Sequence, residues 1–175
     1  MEVDQDGGCL VPLLADGMPT VSADGTTYTF KLHSGVNFVN EDGSVLRPMT
    51  ADDVAYSINR VLNPKLKPNP SPVGSGFFGN IKGAADVLSG KATTATGIKV
   101  VDPTTIEFTL EKPDLTFLNV MASPFASVVP KEPSTMNGSG STTTAATIDM
   151  PVRNSNAVSP ERARFVHTKY AVQAT

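Results

Sequence analysis

Tryptophan is missing from the 175 residues, cysteine occurs once and histidine twice. A single Cys9 cannot close a disulfide within the chain and cannot supply a thiolate metal set, so it leaves the redox compartment open. Aromatic residues amount to 6% of the chain, against 14 glycines and 14 prolines, which describes a turn-rich protein with a modest core. No apolar run approaches the roughly 20 residues needed to span a bilayer. Basic excess is also lacking. The net charge is −3 and the pI about 5.3, with no stripe of Lys or Arg of the kind that follows a nucleic-acid backbone, so no nucleic-acid partner is expected. The first residues, Met1-Glu-Val-Asp-Gln-Asp6, are acidic and lack the basic and apolar stretches of a secretory signal. The expectation from them is either a cytosolic protein or a signal lying outside this sequence.

What is present suits one globular domain. Hydrophobic residues make up 39% and charged residues 18%, and the mean hydropathy is −0.07. These values exclude charge-driven disorder and a strongly apolar membrane protein as descriptions of the whole chain. Residues 1–60 carry 9 acids and 3 bases, and residues 61–175 carry 8 acids and 11 bases, a mild split that reads as solvated faces. Beyond Pro133 the composition changes. The 26 residues from Ser134 to Ser159 hold ten Ser or Thr and only two charges, Asp149 and Arg153. That stretch reads as a linker, followed by one short helix from Ser159 with Phe165, Val166 and Tyr170 on it.

Before the linker, strand and helix signals alternate. Tyr28, Phe30 and Leu32 share one face of a period-2 segment, with the turn Ser22-Ala-Asp-Gly25 before it and His33-Ser-Gly35 after it. Val36 to Val39 continues extended. Thr50 can cap a helix whose first turn holds Asp52 and Asp53 and whose apolar positions are Val54, Ile58, Val61 and Leu62, ended by Asn63-Pro64. A second helix is predicted over Ile81–Leu88, with Ile81, Ala84, Ala85 and Leu88 on one face. Ile98–Val101 and Thr105–Leu110 form a hairpin around Asp102-Pro-Thr104, and Pro113 opens a helix through Leu115, Leu118 and Met121. The fold class is α+β: a small, mostly antiparallel sheet with helices on one face.

Catalytic signals are weak. Gly74-Ser-Gly76-Phe-Phe-Gly79 matches G-x-G-x-x-G, but a dinucleotide loop must leave a strand directly. The preceding Pro64-Lys-Leu-Lys-Pro-Asn-Pro-Ser-Pro72 denies one, so a flexible loop is expected. His33 and His167 stand apart, and Cys9 has no neighbouring base. Asp52 and Asp53 point about 100° apart on a helix and cannot share a proton. Asn137-Gly-Ser139 matches a glycosylation triplet that arises often by chance. No nucleophile, base and oxyanion site assemble, so no enzyme activity, cofactor or metal is expected. Phe77 and Phe78 are different: two aromatics in a Gly-rich segment either cover the core or contact a ligand.

Leu10-Val-Pro-Leu-Leu-Ala-Asp16 followed by Asp24-Gly-Thr-Thr-Tyr-Thr-Phe-Lys-Leu-His-Ser-Gly-Val-Asn-Phe38 resembles the opening of the periplasmic peptide-, dipeptide- and nickel-binding proteins, family 5 of the extracytoplasmic solute-binding proteins of ABC importers. The resemblance continues through Met49-Thr-Ala-Asp-Asp-Val-Ala-Tyr-Ser-Ile-Asn-Arg60, Ser71-Pro72, Gly97-Ile-Lys-Val-Val-Asp-Pro-Thr-Thr-Ile-Glu-Phe-Thr-Leu110 and Val128-Val-Pro-Lys131. It covers residues 3–132 and stops after Glu132. The family's tryptophan near Met18 is absent. The resemblance implies a first-lobe subdomain over residues 1–132, with residues 133–175 as linker and tail.

The function implied is that of a fragment of a peptide or small-solute binder with little affinity alone. Phe77 is the first candidate for ligand contact, then Phe78, with Ser75 and Gly76 offering backbone groups. The implied partners are a peptide or similar solute and an ABC transporter permease. The implied location is the periplasm or cell surface. The alternative is a stand-alone extracytoplasmic scaffold module that has lost solute capture.

Overall fold

The computed structural model describes residues 1–3, 9–39, 44–67, 69–131 and 147–149, with the backbone alone at 2–3 and 147–149. Strands β1 (Glu2–Val3), β2 (Leu10–Val11), β3 (Thr20–Val21), β4 (Thr27–Lys31), β5 (Asn37–Val39) and β6 (Val45–Pro48) precede helices α1 (Ala51–Leu62), α2 (Gly74–Phe78) and α3 (Ala84–Leu88). Then come β7 (Ile98–Asp102), β8 (Thr105–Thr109), α4 (Phe117–Met121), a 3-10 turn at Pro124–Ala126 and β9 (Thr147–Asp149). The elements fall into two compact units, Met1–Ser34 with Thr50–Val129, and Gly35–Met49 with Pro130–Thr175. The expected linker and final helix lie outside the described residues, apart from β9.

The first unit is built on an antiparallel four-stranded sheet in the order β3-β4-β8-β7. The alternation read in the sequence fixes its buried face. Tyr28 pairs across from Phe108 and Phe30 from Ile106, so the apolar residues of the two central strands share one side. Phe30 and Phe108 meet edge to face with ring centroids 5.8 Å apart, a geometry that aligns the positive ring edge with the negative face. Tyr28, Phe30, Leu32, Val54, Ile58, Ile106, Phe108 and Leu110 are all buried.

α1 packs on β7 and β8 through Val54, Ile58 and Leu62. Burying an Ile or Leu side chain contributes about 1.5–3 kcal/mol. The helix starts where the sequence places it, but the two aspartates act differently. The buried Asp53 carboxylate accepts hydrogen bonds from the Thr50 backbone N–H at 2.9 Å and from its hydroxyl at 3.2 Å, while Asp52 is exposed in the first turn. Asp53 thus stands where a capping box places Glu or Gln.

Three segments differ from the sequence reading. Gly74–Phe78, expected as a flexible loop, is helical, and no strand leads into it, so the G-x-G-x-x-G match lacks the strand–turn–helix setting of a phosphate loop. The helix expected from Ile81 begins only at Ala84. Ile81 bridges Leu110, Lys82 N–H donates to Thr109 O at 2.9 Å, and Gly83 turns at φ +77° before α3. The backbone at Ile81 is thereby drawn to the sheet, and Val87 rather than Ala85 faces inward. The helix expected after Pro113 starts at Phe117. The Asp114 carboxylate accepts the Thr116 N–H at 2.8 Å and hydroxyl at 2.6 Å, a turn that delays the helix. Leu115 is left 96% exposed, and Phe117 is buried against Tyr28 and Phe108, at 4.9 and 5.8 Å between centroids.

The second unit holds a three-stranded sheet, β6-β5-β9, antiparallel throughout. Phe38 on its central strand is fully buried, and its cross-strand partner Arg47 sets its guanidinium 5.1 Å from the ring centroid, a cation–π contact.

Candidate ligand-binding site

The candidate residues of the sequence fall on α2. Its placement begins with Gly74, because a Cβ there would lie 2.6 Å from the Val61 carbonyl oxygen. Only glycine lets α2 approach the C-terminal turn of α1 so closely. Being consecutive on a helix, the two phenylalanines point about 100° apart. Phe78 is fully buried and anchors α2 in the core, whereas Phe77 is 36% exposed. Ser75 and Gly76 are exposed on the same turn. Of the four candidates, Phe77, Ser75 and Gly76 therefore share the solvent-facing side of α2, and Phe78 does not.

The pairing of Phe77 is absent from the sequence reading. Its ring lies 5.0 Å from that of Phe125, centroid to centroid, with the planes tilted by 49°. Phe125 sits in the 3-10 turn at Pro124–Ala126 and is 44% exposed. Among the described phenylalanines, Phe30, Phe38, Phe78, Phe108 and Phe117 are buried, and the two exposed ones touch each other. Both lie in charge-free sequence: no Asp, Glu, Lys or Arg occurs over residues 68–81 or 115–130. The sequence reading did not single out Phe125; this shared lack of charge is the one sequence feature that links it to Phe77.

The remaining polar groups among the described residues are set as follows. His33 Nδ1 lies 3.2 Å from Asp16 Oδ1 at the end of β4. Cys9 is a free, exposed thiol. Among the described residues, no group of three or more His, Cys, Asp or Glu is placed to hold a metal ion. The aspartates whose acidity departs from the ordinary value are turn formers. Asp24 is held below it first by the Ser22 hydroxyl, Asp102 by the Thr104 backbone amide and Asp114 by the Thr116 hydroxyl. Burial raises the Tyr28 phenol, which donates to the Asp114 carbonyl at 2.9 Å. No helix among the described residues is long and apolar enough to cross a membrane.

The sequence matches the bacterial extracellular solute-binding proteins, family 5 Middle, over residues 10–150. The chain belongs to this family. The match runs past Glu132, where the resemblance was expected to stop, to include β9. Di/tripeptide-binding protein 4 of Pseudomonas aeruginosa is 34% identical over 124 residues, and the dipeptide-binding protein of Escherichia coli is 35% identical over 124 residues. Each alignment covers 70% of this chain and 22% of the relative. Among solved structures, Listeria monocytogenes OppA bound to peptide superposes with a TM-score of 0.62 at 32% identity, over 74% of this chain and 24% of OppA. The chain thus spans about a quarter or less of the length of the family-5 relatives it matches.

Proposed function

We propose that this family-5 chain is the first-lobe subdomain of a peptide-capturing protein that delivers peptides or similar small solutes to an ABC transporter permease from the periplasm or cell surface. The observation that supports this reading most is the family match over residues 10–150 together with relatives named for di- and tripeptide binding. Phe77 is the ligand-contacting side chain in this reading, and Ser75 and Gly76 present backbone groups beside it. Phe78 serves α2 as its core anchor. The chemistry is capture without bond making.

Affinity follows from geometry. Small-molecule sites bury most of the ligand surface. An open face leaves each polar group of the ligand in exchange with water, so its hydrogen bonds add little net free energy. That gain must also offset several kcal/mol of lost translational and rotational freedom. The chain alone therefore binds di- to pentapeptides no more tightly than about millimolar. Calorimetric titration with a mixed short-peptide library tests this. A micromolar signal lost in Phe77→Ala would overturn the weak-affinity argument while supporting the site. Absence of any binding by a folded chain would favour a scaffold module that has lost solute capture.

A further inference from the structure

We infer that Phe77 and Phe125 together form an exposed aromatic pair that selects peptides carrying an uncharged apolar or aromatic residue over those carrying a charged one at the same position. The inference rests on the peptide-capture reading and adds to it a second ring, Phe125, and a ligand class.

Three observations support it. The two exposed phenylalanines of the described residues lie in contact, although they come from elements 48 positions apart in sequence. Exposed aromatic surface is unfavourable in water, so a paired patch of this kind marks a contact surface more often than an isolated ring does. The 49° tilt keeps the rings from stacking flat and leaves them diverging on one side. With centroids 5.0 Å apart the rings touch, and an apolar group laid across the pair meets both, with edge-to-face geometry available to an aromatic guest. The elements that carry the two rings bring no counter-charge: α2, α4 and the 3-10 turn have no acidic residue in their first turns and no basic residue in their last, and the charges of α1, which packs on α2, are Asp52, Asp53 and Arg60. The sequence around them is uncharged over residues 68–81 and 115–130. A carboxylate or ammonium laid on the pair would lose hydration with no ionic partner from these segments, an unfavourable exchange. A short peptide is the occupant that fits, because the relatives are named for di- and tripeptide binding and the OppA neighbour is bound to peptide.

The test uses the full chain with ring-labelled phenylalanine, followed by NMR during titration with Ala-Phe-Ala, Ala-Glu-Ala and Ala-Lys-Ala. The Phe77 and Phe125 ring signals are expected to move together with Ala-Phe-Ala and to report binding about tenfold tighter than for either charged peptide. Phe125→Ala is expected to reduce that preference to about twofold or less while the backbone spectrum stays that of the folded chain. Equal responses of Phe77 to all three peptides would overturn the selectivity and leave peptide capture standing. A folded chain whose Phe77 signal answers none of them would overturn both. Ring shifts that depend on protein concentration without peptide would assign the aromatic pair to a second copy of the chain and overturn the inference.

Discussion

Asn59 in the middle of α1 holds the backbone of Ala95, 36 residues further along: its Oδ1 accepts the Ala95 N–H at 2.8 Å, while its Nδ2 donates to the Ala55 carbonyl at 2.8 Å. Both Asn59 and Ala95 are buried. One side chain thus ties the segment leading into β7 to the helix packed on that strand. Asn59→Ala leaves the Ala95 amide buried without this acceptor, and the expected loss is about 1–3 kcal/mol in urea unfolding. A loss under about 0.5 kcal/mol would mean that water reaches the amide and that the bond contributes little.

Phe108 is fully buried between Phe30 and Phe117 on the central strand β8. Phe108→Ala removes a whole ring from the packed face, and unfolding measurements are expected to show a loss of about 3–5 kcal/mol. A loss near 1 kcal/mol would mean that the face collapses around the gap more easily than this packing allows.

The N-terminus of α1 separates its two aspartates. Asp53→Ala removes the acceptor of the Thr50 backbone and hydroxyl hydrogen bonds, with an expected cost of about 0.5–2 kcal/mol. Asp52→Ala, at an exposed position, is expected to stay within about 0.5 kcal/mol of the parent. Equal effects would show that the helix dipole, felt by both carboxylates, outweighs the capping bonds.

The sheet and its first helix were legible because their signals are local and periodic. Tyr28, Phe30, Leu32 and Ile106, Phe108, Leu110 alternate cleanly, and Thr50 and Asn63-Pro64 bracket α1. The failures came where distant backbone decides. Ile81 has an apolar helical pattern, but its neighbour Lys82 hydrogen-bonds to Thr109, so the sheet overrides helix propensity there. Leu115 fits the spacing of α4, yet the Asp114–Thr116 turn pushes it into solvent and gives its place in the core to Phe117. At the candidate site, Phe77 was legible as an aromatic in a Gly-rich segment. Phe125 was not, because its meaning comes from a contact that no sequence spacing encodes.

The acid limb of stability has a defined sign. Asp24, Asp102 and Asp114 ionise more readily in the folded chain than ordinary aspartates, through hydrogen bonds from Ser22, Thr104 and Thr116. The unfolded chain therefore binds protons at these sites first. The stability they contribute is present above the ordinary aspartate value, about pH 4, and is lost as the pH falls through their lower folded values. All three are largely solvent-facing, so the slope is expected to be shallow. Urea midpoints measured from pH 6 downward should fall below about pH 4, with a smaller fall in Asp114→Asn. Midpoints that rise on acidification would contradict this assignment.

Peptide capture through the exposed face of α2 is tested most directly by intermolecular NOEs between the full chain and isotope-labelled Ala-Phe-Ala at a peptide concentration of tens of millimolar, so that binding in the millimolar range populates the complex. The account predicts cross-peaks from the peptide's phenyl protons to the rings of Phe77 and Phe125, and none to the buried Phe78 or Phe108. Cross-peaks confined to residues away from α2 and the Pro124–Ala126 turn, or none from a folded chain, would contradict it.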